Sequence, residues 1–169
     1  MTGAWAVVAL GSNLGNRLAH LQAAVDLLAG RCGIAVESVS PVYETEPVGG
    51  PPQPAYLNAV ALLAVRMEPA ELLQQLLAVE AARGRVRAER WGPRTLDLDL
   101  VSLPPYAGRF GPVRLPHPRA HERAFVLRPW LDVQPAATLP ELGTVADLLA
   151  ELGSDGVRRR DDVALALPA

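Results

Sequence analysis

The sequence predicts an α+β protein with a ferredoxin-like βαββαβ core, an antiparallel sheet with helices on one face, and additional C-terminal helices. Two observations predict this class. Four short segments are apolar or alternating, as strands are, and two others carry apolar residues at three- and four-residue spacing, as amphipathic helices do. The length of 169 residues favours one domain over residues 1–169, with a tail from about residue 153 that we expect to be loosely ordered.

The first elements are a strand, a helix and a second strand. Residues 5–10 are a short apolar run that ends at Gly11, as a buried strand would, and the turn that follows is interpreted as structural. Asn16 can cap a helix whose apolar residues recur along one face as far as Gly30. Residues 34–43 predict the second strand.

The second half of the core repeats this pattern. After a proline- and glycine-rich loop over 44–54, residues 56–65 predict a third, strongly apolar strand. Pro69 stands where a first helical position would be, and residues 71–83 are helical by spacing. Residues 95–103 alternate between polar and apolar and predict the fourth strand.

The remaining residues predict smaller elements. Residues 104–116 are a loop or a weak hairpin, and short helices are expected near 121–131 and 145–152. The tail from Gly153 begins with polar residues, and the three arginines at 158–160 are expected to be a solvated run.

Composition excludes several kinds of function. The net charge of −2 and the pI near 5.9 leave no overall positive field to hold nucleic acid or an anionic membrane. All 16 basic residues are Arg, so the chain has no Lys for a Walker A loop or a Schiff base. One cysteine, Cys32, permits no disulfide within the chain. We expect a cytoplasmic monomer that binds small molecules, with neither nucleic acid nor a membrane as partner.

Two acids alternate with leucines in the fourth strand. Because side chains alternate along a strand, Leu96, Leu98 and Leu100 should face the core while Asp97 and Asp99 face the other side. Paired carboxylates on a rigid strand suit Mg²⁺, and can hold two ions. The alternative is that they are only the solvent face of an amphipathic strand.

An arginine-rich loop lies directly before the acid pair. Guanidinium groups bind phosphate oxygens and carboxylates hold the metal that accompanies a polyphosphate, so the combination indicates such a site more than a solvated charge run. The loop residues are Arg83, Arg85, Arg87, Arg90 and Arg94, with Trp91 among them.

Other candidates are less specific. His117 lies between prolines and with Arg123 could complete a triphosphate site, although ordinary surface charges at a helix start would look the same, and zinc is only weakly suggested. Tyr56 and Asn58 share one strand face, where an aromatic ring beside an amide can bind a planar heterocycle; an exposed strand start is the alternative. Glu80 could bind nucleotide, cap an arginine or lie at the surface.

Several segments together resemble the 6-hydroxymethyl-7,8-dihydropterin pyrophosphokinase family of folate biosynthesis. They occur in the family's order and extend from the first strand to beyond residue 130. They correspond to the opening strand and turn, the pterin-binding region, the arginine-rich signature and the last block, at residues 8–15, 43–49 with 56–59, 90–99 and 115–125.

The resemblance implies an activity and a role for each matching residue. The activity is transfer of pyrophosphate from ATP to the hydroxymethyl group of the pterin, with release of AMP and two Mg²⁺ ions. Asp97 and Asp99 would hold the two ions, and Arg85 and Arg94 would assist the transfer. ATP would be bound by Glu80, Arg87, Arg90, Trp91, His117 and Arg123. The pterin would lie between Tyr56 and Phe125, with its edge bound by Thr45, Glu46, Pro47, Val48 and Asn58.

The chain departs from the family pattern in two places. Leu77 stands where some members have a glutamine one turn before Glu80, and Pro112 stands near a phosphate-binding arginine of some members. The arginines that could replace the second are Arg109, Arg114 and Arg119.

Two other functions stay open from the residues alone. A metal-dependent nucleotidyl transferase on a ferredoxin-like fold would use a similar acid pair but release pyrophosphate instead of AMP. A non-enzymatic RNA- or ligand-binding module of that fold is disfavoured by the negative net charge and by the few aromatic residues in the predicted strands.

Overall fold

The computed structural model describes residues 4–47, 52–84 and 95–168. Its longer strands all lie in the first two thirds of the chain. In chain order they are β1 (Ala4–Ser12), α1 (Arg17–Ala29), β2 (Ile34–Val39), β3 (Tyr43–Thr45), β4 (Tyr56–Val65), α2 (Pro69–Ala82), β5 (Asp97–Ser102), β6 (Gly108–Phe110), β7 (Val113–Leu115), a 3-10 helix (Ala120–Glu122), α3 (Ala124–Val133), β8 (Thr138–Leu139), β9 (Gly143–Thr144), α4 (Val145–Leu152) and β10 (Val157–Arg159).

One six-stranded antiparallel sheet organises the fold. Strands β10, β3, β4, β1 and β5 lie side by side in that order, and β2 also pairs with β4. The long strands β1 and β4 are central and pair without a break from Ala4–Val65 to Ser12–Leu57. Because both are apolar along most of their length, they suit a position that is covered on both faces. The predicted α+β class and antiparallel sheet are confirmed.

Local sequence signals set the helix starts. The Asn16 side chain accepts a hydrogen bond from the Ala19 backbone N–H at 3.1 Å and caps α1, as predicted. Pro69 occupies the first turn of α2, where its missing N–H costs no helical hydrogen bond. Thr144 caps α4 in the same way, by accepting from the Asp147 N–H.

Helices cover both faces of the sheet, so the prediction of helices on one face is wrong. On one face α1 and α2 bury residues such as Leu21 and Leu72 against Val8 of β1. On the other, α3 and α4 pack around Trp130, against Val7 of β1. Strand β1 carries apolar side chains on both of its faces, so both faces of the sheet have to be covered.

The single strand predicted over 34–43 is two strands, β2 and β3. Between them, Pro41 has no N–H to donate to a sheet. Ser40 exchanges hydrogen bonds with Val60, because its N–H donates to the Val60 carbonyl and its Oγ accepts from the Val60 N–H, both at 2.9 Å. The chain therefore stays beside β4 while the ladder is interrupted.

The C-terminal tail is ordered by pairing, contrary to the expectation that it is loose. Strand β10 pairs with β3 at the edge of the sheet, with Arg158 opposite Glu44. Beyond it, Leu165 is buried in the core beside α1, and the Ala166 backbone exchanges two hydrogen bonds with the Gln22 side chain. The segment predicted as a loop or weak hairpin is a hairpin of β6 and β7.

Within the described residues, no helix combines the length and the apolar character that crossing a membrane requires.

Candidate functional site

A cleft opens on the α3 side of the sheet, beside the start of α3. The strand register aligns its floor: Asn58 of β4 lies beside Gly11 of β1, and Gly11 lies beside Asp97 of β5. The 3-10 helix and the first turn of α3 supply the facing wall. Of the residues singled out from the sequence, the cleft brings together Thr45, Glu46, Pro47, Tyr56, Asn58, Asp97, Asp99, Arg123 and Phe125.

Gly11 leaves room in the middle of the floor. A Cβ atom at this position would lie 3.2 Å from the Asn58 Oδ1 and 3.5 Å from the Tyr56 ring. The first distance is closer than a relaxed contact allows and the second is an ordinary contact, so a Cβ atom would push the Asn58 side chain aside. Gly11, at which the sequence predicted that the first strand ends, is therefore a residue of β1 that shapes the cleft.

The acid pair lies on the cleft side of β5. Asp97 and Asp99 line the cleft, whereas Leu96, Leu98 and Leu100 are buried in the core on the other face, as the strand period predicts. Both carboxylates are thus held by one rigid, anchored strand.

Those two carboxylates suit a hard cation. Mg²⁺ keeps several waters and is bound in proteins by one or two carboxylates together with substrate phosphates. Among the described residues there is no cluster of three or more His, Cys, Asp or Glu that could hold a metal.

Arg123 connects the acids to the aromatic wall. Its Nη1 lies 3.6 Å from the Asp99 Oδ2, and its guanidinium carbon lies 5.8 Å from the centre of the Phe125 ring. This distance places the cation over the ring face, where the two attract. A single arginine thus contacts one residue predicted to bind metal and one predicted to bind the pterin.

Arg119 also lines the cleft, although the sequence had not separated it from Arg109 and Arg114 as a phosphate ligand. Its Nε lies 3.2 Å from the Glu122 Oε2, and both side chains are about half exposed. Arg109 and Arg114 lie opposite each other in the β6–β7 hairpin and do not line this cleft. Of the three candidates, Arg119 has the position to contact a ligand here.

The other wall of the cleft is built by β3 and β4. The Asn58 Nδ2 donates to the Thr45 Oγ1 at 2.6 Å, and this buried hydrogen bond joins the two strands. Asn13, buried after β1, donates its side-chain N–H groups to the Gln53 Oε1 at 2.7 Å and to the Pro54 carbonyl at 3.1 Å. Gln53 also lines the cleft.

Glu80 lies beneath the acid pair, on the opposite face of β5. It is 3% exposed, and its Oε2 accepts a hydrogen bond from the Leu98 backbone N–H at 2.7 Å. It does not line the cleft, so its assignment to ATP stays a prediction from the resemblance. The contact described here connects α2 to the strand that carries Asp97 and Asp99.

His117 is half-buried beside the acids. Its Nδ1 accepts from the Arg119 backbone N–H at 3.2 Å. Burial is the main cause that lowers the His117 pKa; Arg123 lowers it further, and the Asp97 carboxylate opposes both. The imidazole is thus favoured in its neutral form, with Nδ1 as an acceptor.

Several predicted residues lie outside the described part of the chain. They are Val48 of the pterin-binding set and, from the arginine loop, Arg85, Arg87, Arg90, Trp91 and Arg94. Sequence reasoning missed Glu122 and Gln53. Glu122 follows Arg119 by three residues, a spacing that could have predicted their ion pair. No local pattern indicated Gln53.

Comparison with known proteins agrees with the motifs. A family model described as "7,8-dihydro-6-hydroxymethylpterin-pyrophosphokinase (HPPK)" matches residues 7–135. A relative from Mycobacterium tuberculosis (strain ATCC 25618 / H37Rv), named 2-amino-4-hydroxy-6-hydroxymethyldihydropteridine pyrophosphokinase, is 43% identical, over 96% of this chain and 90% of its own length. A relative of the same name from Pseudomonas aeruginosa is 40% identical, over 90% and 94% respectively.

Solved structures of HPPK-DHPS proteins share the fold. One in complex with substrates has a TM-score of 0.70 at 9% identity and matches 89% of this chain. A Plasmodium falciparum triple mutant with pteroate has the same TM-score at 13% identity and matches 93%. The chain spans 43% and 46% of the lengths of those two chains, and at such identities the likeness concerns the fold alone.

Proposed function

Because the chain belongs to the 7,8-dihydro-6-hydroxymethylpterin-pyrophosphokinase family, we propose that its reaction takes place in the cleft over Gly11. The protein is a transferase of folate biosynthesis: it moves the pyrophosphoryl group of ATP to the hydroxymethyl group of 6-hydroxymethyl-7,8-dihydropterin and releases AMP. The location is supported by one observation. The acid pair, Arg123 and the aromatic side chains of Tyr56 and Phe125 line the same cleft.

The pterin binds at the β3–β4 end of the cleft in this proposal. Tyr56 and Phe125 supply ring faces on which a planar heterocycle stacks. Asn58 and the backbone near Thr45 supply donors and acceptors for the ring edge, with Glu46, Pro47 and Val48 completing that wall. The Asn58–Thr45 hydrogen bond supports this role because it holds the amide in one orientation.

The triphosphate binds at the β5 end. Asp97 and Asp99 would hold two Mg²⁺ ions, which neutralise phosphate charge and orient the oxygens of the transferred group. Arg123 contributes a guanidinium group to the phosphates, and His117, Arg87, Arg90, Trp91 and Glu80 are assigned to ATP by resemblance. Arg85 and Arg94 are assigned to the transfer itself.

The transfer is an in-line displacement at the β-phosphorus. The pterin hydroxymethyl oxygen forms a bond to that phosphorus and loses its proton to solvent, while the bond between the same phosphorus and the oxygen kept by AMP breaks. Residues of this chain position the two substrates and place positive charge where the transferred oxygens gain negative charge. None of the described residues is assigned as an obligatory general base.

The proposal also covers the fold of the core, the domain organisation and the oligomeric state. We infer that β1, α1, β2, β4, α2 and β5 form a ferredoxin-like core, which the central order β2–β4–β1–β5 supports. We also propose one domain over residues 1–169 that acts as a cytoplasmic monomer on small molecules, without nucleic acid or membrane partners.

Product analysis tests the function. The protein is incubated with ATP, Mg²⁺ and 6-hydroxymethyl-7,8-dihydropterin, and the products are separated by chromatography, with controls that lack pterin or contain excess EDTA. We expect AMP and pterin pyrophosphate in equal amounts, only with pterin and metal present. Release of pyrophosphate would favour a nucleotidyl transferase and would contradict the proposed chemistry.

A further inference from the structure

Glu44 is the meeting point of three arginines next to the cleft. On β3, its Oε2 accepts from the Arg17 Nη1 at 2.8 Å and from the Arg160 Nη1 at 3.2 Å, while its Oε1 accepts from the Arg158 Nη2 at 3.0 Å. The Glu44 side chain is 15% exposed, and those of Arg17 and Arg160 are 27% and 28% exposed, so water screens these two ion pairs less than it would at an open surface. The Arg158 side chain is 64% exposed.

The arginines come from two distant parts of the chain. Arg17 begins α1, whereas Arg158 and Arg160 belong to the tail, where Arg158 is the cross-strand neighbour of Glu44. The Arg160 N–H also donates to the Val42 carbonyl at 2.8 Å. This part of the tail lies beyond residues 7–135, so the family match does not account for it.

The Glu44 cluster is connected to both strands that bind the pterin in the proposed function. Thr45, which directly follows Glu44, accepts the hydrogen bond of Asn58. The Arg17 Nη1 that binds Glu44 also donates to the Ala55 carbonyl at 2.9 Å, directly before Tyr56. The Glu44 carboxylate therefore links the tail and the start of α1 to β3, and through Arg17 to the start of β4. These two strands form the wall assigned to the pterin.

We propose that Glu44 is a positioning residue for the pterin half of the cleft, and that the C-terminal tail acts on that half through Arg158 of β10 and Arg160, which directly follows β10. The inference rests on the proposed function, because it assigns the β3–β4 wall to the pterin. Strands β4 and β1 lie between β3, which carries Glu44, and β5, which carries the acids, so the tail affects pterin binding more than nucleotide binding.

Three neighbouring arginines provide the test and its control. Arg160→Ala and Arg158→Ala each remove one contact to Glu44. Arg159→Ala removes the same charge from the position between them, at a side chain that pairs with Asp161 instead. Arg160→Lys keeps the charge and a donor. The dissociation constant of 6-hydroxymethyl-7,8-dihydropterin is measured with saturating α,β-methylene ATP, that of the nucleotide analogue is measured alone, and thermal unfolding is followed for each variant.

We expect Arg160→Ala to raise the pterin dissociation constant about three- to ten-fold and the nucleotide constant less than about two-fold, as for coupled partners in one network. Arg160→Lys should recover most of the pterin affinity, and Arg159→Ala should resemble the wild type. If Arg160→Ala does not fold, Arg158→Ala gives the same comparison at a more exposed side chain.

Two outcomes would overturn the inference alone. Unchanged pterin affinity in the Arg158 and Arg160 variants would show that the tail does not position the site. Equal loss of pterin and nucleotide affinity, together with a lower melting temperature, would show that the cluster only stabilises the fold. A wild-type protein that bound nucleotide but no pterin would instead overturn the proposed function.

Discussion

At the scale of single residues, the cleft depends on the absence of a side chain at Gly11. The position requires no unusual backbone geometry, since its φ angle is outside the left-handed region, and space alone favours glycine. A Cβ atom here would lie too close to the Asn58 Oδ1 and in ordinary contact with the Tyr56 ring.

Gly11→Ala should therefore weaken pterin binding with little effect on nucleotide binding. The added methyl group forces Asn58 to move, and an overpacking cost of about 1 kcal/mol corresponds to roughly a five-fold higher pterin KM. Steady-state kinetics with each substrate varied in turn would measure this. A change in the KM for ATP alone would contradict the assignment of this end of the cleft.

The acid pair provides a second prediction at this scale. Asp97→Asn and Asp99→Asn keep the size of the side chain but remove its charge, and each should lower kcat/KM about 10²–10³-fold, the usual cost of losing one preorganised charge-stabilising group. AMP production at several Mg²⁺ concentrations measures the loss. Asp155→Asn, at an exposed turn, is the matched control; near-normal activity of either cleft variant would disprove the metal assignment.

Arg123 should affect metal and nucleotide in opposite directions. In the ligand-free protein it is a counter-ion of Asp99, so Arg123→Gln should raise the affinity for a divalent cation alone, up to about five-fold for a partly exposed ion pair. The same variant should bind ATP more weakly, because it loses a cation near the phosphates. Mn²⁺ binding followed by electron paramagnetic resonance tests the first effect, and weaker Mn²⁺ binding would contradict it.

At the scale of elements, the position of β5 depends on α2. Glu80 is almost fully buried on α2 and accepts from the backbone of Leu98, between the two cleft acids. A side chain of α2 thus accepts a backbone hydrogen bond from β5, the strand that carries the proposed metal site.

Glu80→Ala should reduce both stability and activity. Removing one partner of a buried hydrogen bond costs about 1–3 kcal/mol, and this substitution takes away the Glu80 acceptor of the Leu98 N–H. Urea unfolding should show a free-energy loss of that size, and Glu80→Gln, which keeps an acceptor oxygen, should lose less. Gln74→Ala, exposed on the same helix, is the control; if it lost as much, the cost would belong to the helix and not to the contact.

Element boundaries show where local signals are sufficient. The start of α1 follows from Asn16 and that of α2 from Pro69, because a cap acts on N–H groups only a few residues away. The split of the predicted 34–43 strand depends instead on Ser40 contacting Val60, a partner 20 residues away. Pro41 is a local signal that the strand is interrupted, because proline cannot donate to the sheet, but it does not determine where the chain goes next.

At the scale of the whole molecule, the Glu44 cluster makes stability depend on pH. Hydrogen bonding from Arg17 is the main cause that lowers the Glu44 pKa, with further contributions from the charges of Arg160 and Arg158, while burial opposes the shift. A carboxyl group whose pKa is lower in the folded state stabilises the fold above its unfolded pKa. That contribution is lost as the pH falls through the folded value.

Glu44→Gln should therefore flatten the acid limb of the stability curve. We expect the wild type to lose unfolding free energy relative to the variant as the pH falls below about 4.5, the ordinary pKa of a glutamate. Urea unfolding at a series of pH values measures both proteins. His20, whose pKa is lowered mainly by burial and also by Arg83, contributes a separate loss that begins below about 6.5 and is common to both. Parallel curves below 4.5 would contradict the prediction.

The sequence by itself determined the features that repeat at short range. A period of two placed Asp97 and Asp99 opposite Leu96, Leu98 and Leu100, and cap residues placed the first two helices. The order of the motifs also determined the family, and with it the reaction. These signals are readable because each depends on chain geometry within a few residues.

Only the tertiary structure decided the contacts between distant residues. Helices cover the second face of the sheet, and Glu80 is buried beneath β5. Arg119 lines the cleft, whereas Arg109 and Arg114 do not. Arg158 binds Glu44, which is 114 residues away. No local pattern encodes these pairings, because each depends on which surfaces remain uncovered once the neighbouring strands and helices have packed.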